Sequence, residues 1–278
     1  MVDPTDRPAI GPYVLTRELP DCVLPGGHAA LRWVALHETE QSSHLIYRFT
    51  PPPPSQDKYA RSALLGAVKA AASLRHSHIW EIARFGYDDA GYMWVVGAYP
   101  GDVTGLLTLG RLLRDKGGQM SAPEAERAVL QVLEAVEQAW STGRSHGPVG
   151  MDEVLVDRHG SLLIELYGVG RGMLGLIPSD PSARAEFLRD EVRSVVEIGY
   201  QLITGLRAES PVIPPARLVK KLDPAWDAWL RRGLDPLSGF DSPSEALGAL
   251  PSRVVRTETR GPIVQVRNVL GRFGSASR

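Results

Sequence analysis

The 278-residue chain has a single cysteine, Cys22, so it can form no internal disulfide, and the class of small disulfide-stapled secreted domains is excluded. It has no apolar run near the roughly 18 residues of a membrane-spanning helix, and no leader of basic, apolar and small-residue segments in that order. It has almost no net charge, -1 at pH 7, which provides no overall pull towards nucleic acid or an anionic membrane surface. It shows no internal repeat of useful period. These absences place the chain in the cytoplasm, either alone or as the cytosolic part of a longer protein.

What is present is ordinary for a packed domain: 43% hydrophobic and 23% charged residues. The length allows one large domain or two lobes around a cleft. The N-terminal part reads as strands. Residues 10–19 alternate apolar and polar, residues 31–36 and 43–49 are further strand-like runs, and Gly26–Gly27 marks a turn between strands. The four prolines 51–54 cannot continue a sheet. They lead into a helix over 58–74 whose apolar face is Leu64, Leu65, Val68, Ala71 and Ala72. Strands over 79–87 and 92–96 follow, then a Gly and Pro turn at 97–102.

The second half reads as helical. A short helix covers 106–115. Ser121 and Glu124 then form a capping box that starts a helix ending at Trp140, with Ala125, Val129, Leu133 and Val136 on one face. The helix 190–204 is apolar around most of its circumference, as a helix at the centre of a lobe would be. Two last helices are expected over 226–234 and 244–250. Beyond Pro251, Arg253, Arg256, Arg260, Arg267, Arg272 and Arg278 face the single acid Glu258. That is a solvated basic tail or a segment for an acidic partner.

Between the long helices, the stretch 140–171 reads WSTGRSHGPVGMDEVLVDRHGSLLIELYGVGR. Two aliphatic runs, 153–156 and 162–166, flank a polar turn at 157–160, which is the pattern of a strand, a turn and a second strand. It resembles the centre of a bacterial Ser/Thr protein kinase, H-R-D-x-K-P-E-N-I-L-V followed by D-F-G. His146, Val154, Leu155, Val156 and Gly168 fit that pattern. The residues that would carry the chemistry do not. Pro148 stands at the catalytic Asp, Gly150 at the loop Lys, Glu153 at the metal-binding Asn and Leu166 at the D-F-G Asp. Proline has no titratable side chain, and leucine offers no oxygen to Mg²⁺.

The resemblance covers about residues 10–250 and implies an α+β, two-lobed kinase-like fold. It divides the chain into a small lobe at 10–97, a hinge at 98–101, a large lobe at 102–251 and the basic tail at 252–278. It also implies that Tyr47 or Arg48 replaces the ATP-positioning Lys, and that Ala67 replaces the helix Glu that pairs with it. Gly97 corresponds to the gatekeeper and would leave the adenine pocket open, and residues 168–191 correspond to the activation segment. His146, Gly168 and Glu191 take structural positions, with Glu191 accepting hydrogen bonds from the loop backbone. The expected function is that of a pseudokinase, a scaffold or regulatory module for protein partners that binds ATP weakly or not at all and uses no cofactor. The alternatives are a nucleotide-binding regulator, or a transferase of different chemistry that holds a metal through Glu153, Glu165 or Asp152.

Overall fold

The computed structural model describes residues 8–25, 28–50 and 57–252. The Gly26–Gly27 turn, the proline run 51–54 and the tail from 253 onwards lie outside the described residues. The fold is α+β and kinase-like in its two-lobed arrangement. Its N-terminal part is built on a six-stranded antiparallel sheet of order β1-β2-β3-β4-β6-β5. The strands are β1 (Ala9–Ile10), β2 (Tyr13–Val23), β3 (Ala29–His37), β4 (Ser43–Phe49), β5 (Arg84–Tyr87) and β6 (Met93–Ala98), with the helix α1 (Asp57–Ala72) inserted after β4.

Period-2 geometry assigns the faces of β4. Leu45, Tyr47 and Phe49 join Leu64, Val68 and Ala71 of α1 in one core. Ile46 packs on the other face with Ile10, Tyr13, Ala35 and Val96. Arg48 shares that outer side, where it pairs with Asp88 at 2.6 Å and lies 3.9 Å from the Tyr92 ring centre. Tyr47 therefore turns towards α1 and Glu165, whereas the parity of the strand turns Arg48 to the opposite face, so of the two residues only Tyr47 lines the side that meets Glu165.

The C-terminal part comprises β7 (Leu107–Thr108), α2 (Leu109–Asp115), α3 (Ala122–Ser141), a 3-10 turn at Met151–Glu153, β8 (Val154–Val156), β9 (Leu162–Ile164), α4 (Val169–Met173), α5 (Pro181–Thr204), α6 (Pro215–Leu218), α7 (Pro224–Leu234) and α8 (Pro243–Gly248). β7, β8 and β9 form a small antiparallel sheet. The Ser121 amide and hydroxyl both donate to Glu124 Oε2, at 3.0 and 2.7 Å, which closes the start of α3. α3 and α5 supply nearly half of the large core, to which Trp226, Trp229 and Phe240 add large rings. No helix among the described residues is long and apolar enough to cross a membrane.

Two elements differ from the sequence reading. β9 ends at Ile164, so Glu165 and Leu166 lie beyond the strand and do not alternate between faces. Both are buried, and Leu166 has φ of 44°. α5 begins at Pro181 rather than near Asp190 and absorbs half of the segment expected to be loop. The cause is local: Asp180 accepts the Ala183 amide at 2.9 Å, and Pro181 stands in the first turn, where its missing N–H costs nothing. Apolar periodicity alone missed this turn because residues 181–187 are mostly solvent-exposed.

Removing the cap tests this account of α5. Asp180→Ala should lower stability by about 1 kcal/mol in urea unfolding, with the helix otherwise retained in far-UV circular dichroism. An unchanged midpoint would mean that packing alone sets the helix start.

Candidate functional site

The loop 145–153 between α3 and β8 is held from beneath by α5. Glu191, fully buried, accepts the His146 amide with both oxygens at 3.1 and 3.2 Å and the Tyr167 hydroxyl at 2.5 Å. One turn on, Ser194 Oγ accepts the Val149 amide at 2.7 Å. The 3.6-residue repeat puts both acceptors on one face. The His146 ring is buried edge-on to Tyr167 at 5.2 Å, and burial holds its pKa below the ordinary value.

The loop's upper side is held by Arg171 of α4. Its guanidinium donates to the carbonyls of Pro148 at 2.5 Å and His146 at 3.3 Å and lies 3.7 Å from Glu153 Oε1. Glu153 Oε2 accepts the Gly150 amide at 2.6 Å. Pro148, Gly150 and Glu153 are thus tied together through backbone groups and one cation. Gly168 begins α4 at φ of 70°, where an added Cβ would sit 2.7 Å from the Ser145 carbonyl oxygen, so only glycine fits.

Across the cleft, Glu165 is the meeting point of the two lobes. Its Oε1 accepts Arg32 Nη1 of β3 at 2.9 Å and the Tyr47 hydroxyl of β4. Arg32 continues to the carbonyls of Pro20 at 2.5 Å and Asp21 at 3.3 Å. Burial raises the Glu165 carboxyl above the ordinary carboxylate range, and Arg32 and Tyr47 oppose that rise. Burial, and then the charge of Glu165, push the Cys22 thiol up, so it stays protonated.

Leu166 joins the small-lobe core with Leu24, Leu155 and Val169. Pro25 packs on Gly170, where a Cβ would approach the proline ring to 2.5 Å. Ala67 packs on Gly172 in the same way, with 2.9 Å between its Cβ and a Cβ placed on the glycine. α1 therefore rests directly on α4. What remains between Cys22, His146, Glu153, Glu165 and Leu166 is about 10 Å³, room for roughly one water.

The hinge side corrects the expectation about Gly97. Its missing side chain does not leave the pocket open, because Trp80 fills the space. A Cβ on Gly97 would collide with the Glu81 carbonyl oxygen and lie 2.7 Å from the indole, whose Nε1 donates to the Ala98 carbonyl at 2.9 Å. Outside that plug, an open cleft of about 1120 Å³ runs past Val34, Tyr99 and Leu163. Arg17 reaches across from β2 to the Tyr99 hydroxyl at 3.0 Å and the Val103 carbonyl at 2.8 Å. Among the described residues, no cluster of three or more His, Cys, Asp and Glu is arranged to hold a metal. Asp152 faces α2, where it accepts the Thr108 hydroxyl at 3.0 Å, and not Glu165.

Arg32, Arg171, Trp80 and Ser194 were not singled out from the sequence. An arginine inside the apolar strand 31–36 was the one available signal, and alone it does not distinguish a buried cation from an exposed one.

No family model matches the chain. Among curated proteins it is similar to a probable cell division protein kinase of Encephalitozoon cuniculi, at 27% identity over 111 residues. The match covers 40% of this chain and 33% of the relative, so it spans about a third of that protein's length. The likeness agrees with a kinase-like fold.

Burial lifts the Glu191 carboxyl to about 7 from an unfolded value of 4.5, against the pull of Tyr167 and the loop amides. A raised carboxyl binds its proton more tightly in the folded state. Its contribution to stability is therefore full below pH 4.5 and is lost as pH rises through about 7. Glu191→Gln should flatten that part of the stability profile in urea melts taken at several pH values. Glu191→Ala should cost about 1–3 kcal/mol by leaving buried donors unpaired. Identical pH profiles for Glu191→Gln and the unaltered chain would exclude this titration.

Proposed function

We propose that this chain is a pseudokinase, a catalytically inactive kinase-like module that works by binding protein partners as a scaffold or regulator. One observation supports the reading: the space beside Glu165, Leu166 and Glu153, where the resemblance would put triphosphate and metal, is occupied by the protein itself. Leu166 is packed in the small-lobe core, Tyr47 and Arg32 are committed to Glu165, and Pro25 sits on Gly170. About 10 Å³ remains there, too little for a triphosphate, and the open space of about 1120 Å³ lies on the hinge side, past Val34, Tyr99 and Leu163. Kinase chemistry needs a base for the substrate hydroxyl and acidic or amide ligands for Mg²⁺, and Pro148 and Leu166 supply neither. Protein partners follow as the proposed ligands, in a cytoplasmic setting, because a fold without its phosphotransfer groups still presents two lobes of structured surface.

Glu153 and Glu165 could in principle serve a metal in a different transfer reaction. Their carboxylates are already bonded to Gly150 and to Arg32 and Tyr47 respectively, which favours the inactive reading.

Millimolar ATP with Mg²⁺ should leave the melting temperature nearly unchanged, whereas a ligand at about 100 times its Kd would stabilise the fold by roughly 2.7 kcal/mol. Radiolabelled ATP with generic protein substrates should give no transfer. A rise of several degrees that EDTA abolishes, or labelling lost in Glu153→Ala, would replace the pseudokinase reading with the transferase one.

A further inference from the structure

The small space beside Glu165 has unequal walls. On the large-lobe side they belong to packed elements, Glu165 and Leu166 after β9 and Gly168 and Gly170 at the start of α4. On the small-lobe side the wall is Cys22, Val23, Leu24 and Pro25, which follow an interruption in β2. Leu19 lies opposite Arg32 and Cys22 opposite Ala30, so β2 takes three steps where β3 takes two. The extra residue makes a β-bulge at Pro20 and Asp21, and Pro20, with no N–H for the ladder, suits such a break. Beyond the bulge, Cys22 and Val23 alone stay in register with β3 among the described residues, and the Leu24 amide donates to the His28 carbonyl at 2.7 Å.

Two sets of contacts hold this short segment down. Leu24 joins Leu166 and Val169 in one core, and Pro25 lies on Gly170. The other set is polar and centres on Arg32. Its Nε and Nη2 donate to the two carbonyls of the bulge, Pro20 at 2.5 Å and Asp21 at 3.3 Å, while Nη1 donates to Glu165 of the large lobe at 2.9 Å. One guanidinium thus ties the break in β2 to the opposite lobe. Apolar residues of similar size would hold two lobes together about as well as a buried ion pair, whose best-attested use is to specify one arrangement. Placed at a bulge, the pair specifies the position of the segment that follows it.

We infer that residues 20–25 form a strap across the cleft, latched to Glu165 by Arg32, which lifts as a unit about the bulge while both lobes stay folded. A segment with so few ladder bonds opens at a lower free energy than the sheet behind it. Lifting releases the Arg32 bonds to Pro20 and Asp21, withdraws Leu24 and Pro25 from Leu166 and Gly170, and opens the space beside Glu165 to solvent. The strap is an autoinhibitory contact within the chain. It governs access to the cleft and not the chemistry inside it, so it stands or falls separately from the pseudokinase reading.

Cys22, the single cysteine, is buried on the strap, so its labelling by N-ethylmaleimide in the full chain reads the opening. The rate should be the same in water and in low urea, because a local opening exposes little surface. A rate that instead follows global unfolding as urea is raised would overturn the strap. Arg32→Lys keeps a cation beside Glu165, but one ammonium cannot also hold both bulge carbonyls, so labelling in low urea should quicken by about tenfold. Leu24→Ala leaves Arg32 and Glu165 in place and removes packing from the strap, so it should quicken labelling by at least about tenfold; it keeps the test intact if Arg32→Lys does not fold. An unchanged labelling rate in either folded variant would overturn the inference.

Discussion

The buried carboxylate of Glu165 is the interaction on which the arrangement of the two lobes depends. A carboxylate removed from water costs several kcal/mol unless a cation and donors surround it. Both partners of Glu165, Arg32 and Tyr47, come from the small-lobe sheet, while Glu165 follows β9 of the large lobe. Separating the lobes would break this pair or wet it. Arg32 also grips the carbonyls of Pro20 and Asp21, just before the residues that descend to Gly170. That geometry holds the segment after β2 against Gly170, with only about 10 Å³ left beside Glu165.

The loop 145–153 keeps its shape through its backbone groups. Backbone N–H and C=O groups inside a lobe need partners whatever side chains surround them. Glu191, Ser194, Arg171 and Glu153 together satisfy His146, Pro148, Val149 and Gly150. None of these bonds uses the side chain of Pro148 or Leu166, so this bonding of the loop backbone makes no demand on the chemistry of those two side chains.

The fold class was legible because long-range order in sequence reports local physics. Helical periodicity over α3 and α5, alternation over β2 and the capping box at Ser121 each follow from a few neighbouring residues. The start of α5 was missed although its signal, Asp180 before Pro181, is equally local, because an exposed first turn carries no apolar pattern. The choice between Tyr47 and Arg48 could not be made from the strand alone: both residues fit its composition, and the parity is set by which face meets α1.

What the sequence by itself determined was the order of the elements, the absence of ionisable or metal-binding side chains at positions 148 and 166, and the lack of any disulfide. These depend on residue identity or on contacts within a few positions. Only the tertiary structure decided that Gly97 is bare because Trp80 occupies its space, that Arg32 is the cation of Glu165, and that Arg171 holds the loop. Arg32 and Glu165 are 133 positions apart. A buried charge finds its partner through the packing of whole elements, and no local pattern records which of many arginines that partner is.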